Sequence, residues 1–163
     1  NGIEVLLNWQ PILNPAIFSG LKLWSGVTIN RYKFVDYIKG TVSYSSNSLT
    51  GVPNEVITGG LDLELRNGLY CHVTYNYTSS LPLDDANTVF AKSFFLLGSR
   101  IGYKSRFINS MPVDFFAGAD NLLDQTYSLG NDLNAAGGRF FNAAAGINYF
   151  AGLRFDLSLS RSK

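Results

Sequence analysis

The chain is short of the residues that small folds use as staples and switches. Its 163 residues hold one cysteine, one histidine and one methionine. A lone Cys71 excludes an internal disulfide, and on its strand it reads as a small apolar residue. A lone His72 lacks the partners that nucleophilic catalysis requires. Charge is scarce as well. Asp, Glu, Lys and Arg make up 15% of the chain, against roughly 25% in soluble domains. The 13 basic and 12 acidic residues nearly cancel, which leaves no electrostatic footprint for nucleic acid. No apolar run approaches the roughly 18 residues of a spanning helix, so a helical membrane protein is excluded. Helical periodicity is absent throughout. Nothing at the start resembles a signal peptide. Asn1-Gly2-Ile3-Glu4 opens directly in strand pattern, so the beginning of the natural chain, several hundred residues, is expected to lie upstream.

What the chain does have is alternation, together with 14% aromatic residues. Side chains alternate across a strand. From Tyr149 to Leu159 the odd residues are apolar or aromatic, while Asn148, Gly152, Arg154, Asp156 and Ser158 fall on the other face. The same two-sided pattern recurs in Ile3–Gln10, Leu21–Tyr37, Ile57–Leu65, Leu69–Tyr77, Phe94–Tyr103 and Val113–Asp120. Pro11 and Pro15 end the first strand, because neither can donate to a ladder. Asn67-Gly68 predicts a tight two-residue type I′ turn. Ile38–Asn54, Thr78–Ala91 and Leu123–Ile147 read as long loops. The prediction is an all-β fold, an antiparallel meander of about seven long strands, with short turns at one end and long loops at the other. That is the layout of part of a transmembrane β-barrel.

Alternation alone does not say which face looks outward. A lipocalin-like barrel hides its apolar face, and an outer-membrane barrel shows it to lipid. Three features favour lipid. Asp62, Glu64, Arg100, Asp114, Arg154 and Asp156 put full charge on the polar face. Tyr32, Phe34, Tyr75, Tyr77, Phe94, Phe95 and Tyr149 cluster near strand ends, as an aromatic girdle does. The strands also exceed the usual five or six residues. Gly60, Gly98, Gly102, Gly118 and Gly152 lie on the polar face, where strands coil or neighbours approach closely.

Ala117-Gly118-Ala119-Asp120-Asn121-Leu122-Leu123-Asp124-Gln125-Thr126-Tyr127 resembles the penultimate-strand pattern of TonB-dependent outer-membrane receptors, with Leu123 where Phe is commoner. Gly138-Arg139-Phe140-Phe141-Asn142-Ala143-Ala144 is similar to that family's run before the final strand, with Ala143 in place of Pro. Asn47-Ser48-Leu49-Thr50-Gly51-Val52-Pro53 is a weaker match. The resemblance covers essentially the whole chain. It implies that residues 1–163 are the C-terminal portion of a barrel of about 22 strands around an N-terminal plug. It also implies a place in the bacterial outer membrane and uptake of an iron chelate, vitamin or glycan with energy from TonB. The partners would be outer-membrane lipid, the plug and the rest of the barrel, TonB through a region upstream, and a small-molecule or glycan ligand at the outer loops. Gly118, Asp120, Asn121, Leu122, Asp124, Tyr127, Gly138 and Arg139 would be structural motif positions. The family's chain commonly finishes on an aromatic residue. Here it runs past Phe155 to Lys163, so that signal is shifted, absent or followed by added residues.

No catalytic constellation, cofactor site or metal site is expected, and the chain is not read as an enzyme. Asp84-Asp85 and Asp132 lack the oxygen-ligand spacing of a calcium loop. Asp120, Asn121 and Asp124 are expected to turn the strand into its loop by bonding nearby backbone. Tyr32, Tyr44 and Tyr127 would either meet a ligand from the loops or belong to the girdle. Two other readings stay open. One is a small self-contained outer-membrane barrel, an anchor or an enzyme, if Asn14–Gly20 or Ile38–Tyr44 hides an eighth strand. The other is a soluble lipocalin-like binder. A fragment would carry unpaired edge strands, which recruit other strands and favour oligomers or aggregates.

Overall fold

The computed structural model describes residues 1–108 and 111–155. In chain order the strands are β1 (Gly2–Trp9), β2 (Phe18–Asn30), β3 (Ile38–Lys39), β4 (Val42–Ser43), β5 (Glu55–Leu65) and β6 (Leu69–Thr78). They continue with β7 (Leu81–Pro82), β8 (Phe90–Ala91), β9 (Phe94–Ile108), β10 (Met111–Asp120) and β11 (Asn148–Phe155). Seven of them form one antiparallel sheet in the order β1-β2-β5-β6-β9-β10-β11. Every neighbour in that sheet is the next long strand in sequence, so the predicted meander of seven is the fold. The expected continuation of the last strand, Asp156–Leu159, lies outside the described residues, as do the rest of the C-terminus and Asn109-Ser110.

Three boundaries differ from the sequence reading. The second strand begins at Phe18 and ends at Asn30, not at Leu21 and Tyr37. Phe18 pairs with Leu65 and Gly20 with Glu64, across a register shift, so the sheet captures residues that carry no alternation of their own. Beyond Asn30 the partner strand runs out, because the segment before Glu55 contains Pro53. Asn30 instead donates its backbone N–H to the Asn54 carbonyl and its side-chain amide to the Pro53 carbonyl. Residues 31–49 then fold back on themselves through the Lys33–Ser48 bridge and the Phe34 N–H to Asn47 carbonyl bond. Tyr32 and Phe34 therefore belong to a loop and not to a strand end.

The fifth long strand runs on to Ile108, and Met111 already belongs to the sixth. The register shift between them falls between Met111 and Val113, at Pro112, the residue that has no N–H to give.

The β5–β6 connection is the third difference. It is not a type I′ turn. Only Gly68 has positive φ, at 96°, and its N–H bonds the Leu65 carbonyl. Three residues, Arg66-Asn67-Gly68, make the bend, a type I turn closed by a left-handed glycine. Parity explains this. Leu61, Leu63, Cys71 and Val73 are all odd, and they share a face only if odd pairs with odd. The register obeys, with Leu63 opposite Cys71 and Asp62 opposite His72. A two-residue turn would shift the pairing by one and put each apolar side chain opposite a polar one.

Asn14–Gly20 contributes to β2, and Ile38–Tyr44 makes only the two-residue ladder of β3 and β4, away from the main sheet. Neither supplies an eighth strand. The sole described helical piece is a single 3₁₀ turn at Ala136–Gly138.

Among the described residues the sheet is one layer thick, and most of its odd face is exposed or half-buried, with Val113 and Ala119 buried. Ile3, Leu7, Ile101 and Leu153 are exposed, and Leu61, Leu63 and Val73 are half-buried by their strand neighbours alone. Rows such as Leu23, Leu61, Val73, Ser99, Ala119 and Tyr149 run across the strands on this odd face. Leaving such side chains in water forgoes on the order of 1.5–3 kcal/mol each. A soluble lipocalin-like packing, which encloses this face, is not what the chain adopts.

Candidate functional site

Two regions carry the chemistry: the even, polar face of the sheet and the cluster of long loops. On the polar face acidic side chains meet basic ones from other strands. His72 Nδ1 lies 2.7 Å from Asp62 Oδ1, and Lys104 Nζ lies 2.9 Å from Glu64 Oε1. At the centre, the Tyr70 hydroxyl donates to Asp114 Oδ1 at 2.8 Å. One Arg100 nitrogen reaches both the Tyr70 oxygen and Asp114 Oδ2, at 3.0 and 3.2 Å. The Arg100 guanidinium also lies over the Phe116 ring, 3.7 Å from its centre. Asp114 is buried. A buried carboxylate is tolerable when a cation and a hydroxyl satisfy it. His72 is therefore less isolated than its count of one implies. The parity of the β5–β6 hairpin could have named Asp62 as its partner.

The polar-face glycines make room for aromatic rings from adjacent strands. A Cβ at Gly60 would meet the Trp24 indole, at Gly102 the Tyr70 ring, at Gly118 the Phe150 ring and at Gly152 the Phe116 ring. Gly98 faces Thr74 and Asp120 instead. On the apolar face Tyr75 covers Gly59 in the same way, and its hydroxyl donates to Ser25 Oγ at 2.9 Å. A ring folded over glycine keeps the ladder unbroken while covering bare backbone.

At the opposite end from the Arg66–Gly68 bend, the three long loops (31–54, 79–93 and 121–147) meet. Asp84 shapes the second loop from within. Its carboxylate accepts the backbone N–H groups of Thr88 and Val89 at 2.7 and 3.0 Å, and the Thr88 hydroxyl as well. Burial pushes its pKa up, but those three donors outweigh it, and the carboxyl sits below its usual range. Asp85 reaches outward. It accepts the Thr50 hydroxyl at 2.6 Å, the Tyr37 hydroxyl at 3.0 Å and the Asn134 amide at 3.0 Å. Its own N–H donates to Asn134 Oδ1 and its carbonyl accepts Asn47 Nδ2. The Thr50 bond, followed by those from Asn134 and Tyr37 and the charge of Lys39, holds the Asp85 carboxyl below its ordinary value despite some burial. The Tyr37 hydroxyl is pushed up, first by its bond to Asp85. Leu83 beside them is fully buried.

The motif residues fall into two groups. Gly118 lies under the Phe150 ring, and Asp120 is the last residue of β10. Asn121 follows with φ +50° and is buried. Its amide accepts the Gln125 N–H at 2.9 Å and donates to the carbonyls of Gln125 and Ala145. The Leu122 N–H bonds the Leu97 carbonyl, and Asp124 Oδ1 accepts the Ile147 N–H at 2.9 Å. Asn121 and Asp124 thus tie both ends of the third loop together. The Tyr127 ring packs 4.8 Å from Phe94, and Tyr44 packs 5.5 Å from Tyr37. Tyr32 stands exposed. Gly138 and Arg139 are exposed at the 3₁₀ turn, outside the Asn121–Asp124 knot. Among the described residues no group of three or more His, Cys, Asp or Glu side chains is placed to hold a metal.

No protein-family model matches the chain. Solved structures do. The siderophore receptor PiuA from Acinetobacter baumannii aligns with a TM-score of 0.71 at 18% identity, over 93% of this chain and 21% of that one. The ferric citrate transporter FecA in its unliganded form aligns at 0.64 and 18%, over 83% of this chain and 21% of that one. BauA, the ferric preacinetobactin receptor from Acinetobacter baumannii, aligns at 0.53 and 13%, over 96% and 29%. The chain spans between about a fifth and under a third of the length of these proteins. Its seven strands have the fold of part of the transmembrane β-barrel of TonB-dependent receptors, the fold that the sequence resemblance implied.

Proposed function

We propose that this chain is the C-terminal portion of the barrel domain of a TonB-dependent outer-membrane receptor that takes up an iron chelate, vitamin or glycan. One observation carries the reading: a seven-strand sheet with largely apolar side chains, mostly exposed or half-buried, on one side and acids paired with bases on the other. An apolar band of this kind is stable against acyl chains, and the polar face suits a wet or protein-filled interior. Similarity to a siderophore receptor and a ferric citrate transporter favours an iron chelate among the three cargo classes. In this reading Asn121, Asp124 and Gly118 are structural, the chain carries out no reaction, and the plug and the TonB-contacting segment belong to the rest of the protein.

The test is made on the whole gene product in its native host. Cysteines placed singly at Leu61, Val73 and Leu153, with Cys71 changed to Ala, should resist a water-soluble maleimide in outer-membrane fractions. Cysteines at Asp62 and Arg154 should react once the interior is opened. Deleting the gene should abolish energised uptake of an iron chelate. Recovery of the protein in the soluble fraction, or labelling of Leu61, Val73 and Leu153 as fast as of the polar set, would refute the membrane reading.

A further inference from the structure

We infer that Asp85 is a latch that makes the three long loops one body, so that this part of the loop end opens or closes as a unit and not loop by loop. The two acids of the second loop divide the work. Asp84 bonds only within its own loop, to Thr88 and Val89. Asp85 spends its carboxylate, its N–H and its carbonyl on the other two loops. Asn134 answers with both ends of its amide, and Thr50, Tyr37 and Asn47 answer from the first loop. Around this centre the ties are doubled. The Ser48 N–H donates to Asn87 Oδ1 at 2.7 Å, and Asn87 Nδ2 returns a bond to the Ser48 carbonyl at 3.0 Å. The Gly51 N–H bonds the Pro82 carbonyl, and the Asn134 N–H bonds the Leu83 carbonyl, both at 2.8 Å. Leu133 from the third loop covers Gly51 from the first.

The largest share of the cost of opening therefore falls on Asp85, the one acid that bonds both other loops. Releasing the first or third loop alone strips Asp85 of part of its donor set and leaves a partly buried carboxylate under-satisfied. Once the carboxylate is lost, the remaining ties are neutral hydrogen bonds, each of small net worth. Local opening is governed by such differences. The coupling does not depend on what the loops bind, so it stands or falls apart from the transport reading.

Amide hydrogen exchange on the whole protein in membranes or detergent tests it, with peptides covering 44–54, 81–90 and 129–140 followed together. Asp85→Ala should raise exchange roughly tenfold or more in all three, with the strand peptides of β5 and β6 unchanged. Thr50→Ala combined with Asn134→Ala leaves Asp85 in place but removes two of its carboxylate's three donors. It should raise exchange in the first and third loops to a similar degree, and it serves where Asp85→Ala fails to assemble. Thr88→Ala should affect only the second loop. If exchange rises in one loop alone, or if Thr88→Ala loosens all three as much as Asp85→Ala does, the latch is overturned.

Discussion

The ring of Tyr70 lies over Gly102 on one neighbouring strand, while its hydroxyl donates 2.8 Å to Asp114 one strand further on. One side chain thus both covers bare backbone and satisfies a buried carboxylate. Tyr70→Phe keeps the cover and removes the donor. It should destabilise the folded barrel by about 1–3 kcal/mol, the usual cost of orphaning a buried polar group. Urea titration of the refolded protein in lipid vesicles, read by Trp fluorescence, checks it.

Gly152 has room for the Phe116 ring only because it lacks a side chain. Gly152→Val should force that ring off Gly152 and away from the Arg100 guanidinium it supports. A loss of roughly 1–3 kcal/mol follows from such overpacking. Gly152→Val with Phe116→Ala should recover part of the loss in the same unfolding assay, which a purely backbone effect would not allow.

Ile101 is exposed on the apolar face, opposite Cys71 and Ala117 in the register. Ile101→Arg should cost about 2–4 kcal/mol if this row lies near the bilayer midplane. If the proposed outer-membrane location holds, the readout is the yield of folded protein in that membrane. Lys104→Gln, on the other face, should change that yield little.

The loop latch has a pH signature with a definite sign. Asp85 is held below its ordinary value of 3.8, so its contribution is present in full above that value. It is lost as pH falls through the lower folded value. Lys39 and Tyr37 from the first loop face it. Neighbouring Asp84 is also depressed and weakens the second loop in the same window. Exchange in the three loop peptides should therefore climb together below about pH 4. In Asp85→Asn the first and third loops should already be loose at neutral pH and change little further.

Much of the sheet was legible because its signal is periodic. Seven alternating segments gave seven strands, and their odd faces line up across the whole sheet. The boundaries were harder, since they depend on partners. Phe18–Gly20 joins β2 because Glu64 and Leu65 stand opposite. Residues 32–37 leave it because they turn to pair with 44–49 within their own loop, although Tyr32, Phe34 and Val35 alternate well enough. Asn121 could be read locally, because its bonds to Gln125, four residues on, are a short-range event, whereas the Asp124 carboxylate bonds the Ile147 N–H, 23 residues on. Asp85 could not. Its partners lie 35 to 49 residues away in sequence, and nothing in an Asp-Asp pair says that one will bond inward and the other outward. His72 lies between these cases, since its partner follows from hairpin parity once the bend is known to hold three residues.

That three-residue bend at Arg66-Asn67-Gly68 sets a rule for how this stretch of gene can drift. Losing or gaining one codon there would invert every side chain on one limb relative to the other, sending Asp62 and Glu64 or His72 and Tyr70 toward the greasy side. Changes in steps of two keep the faces in phase. Indels at this narrow end should therefore be rare and even-numbered, while the broad loops at the far end are free to vary in any step that spares Asp85 and its partners.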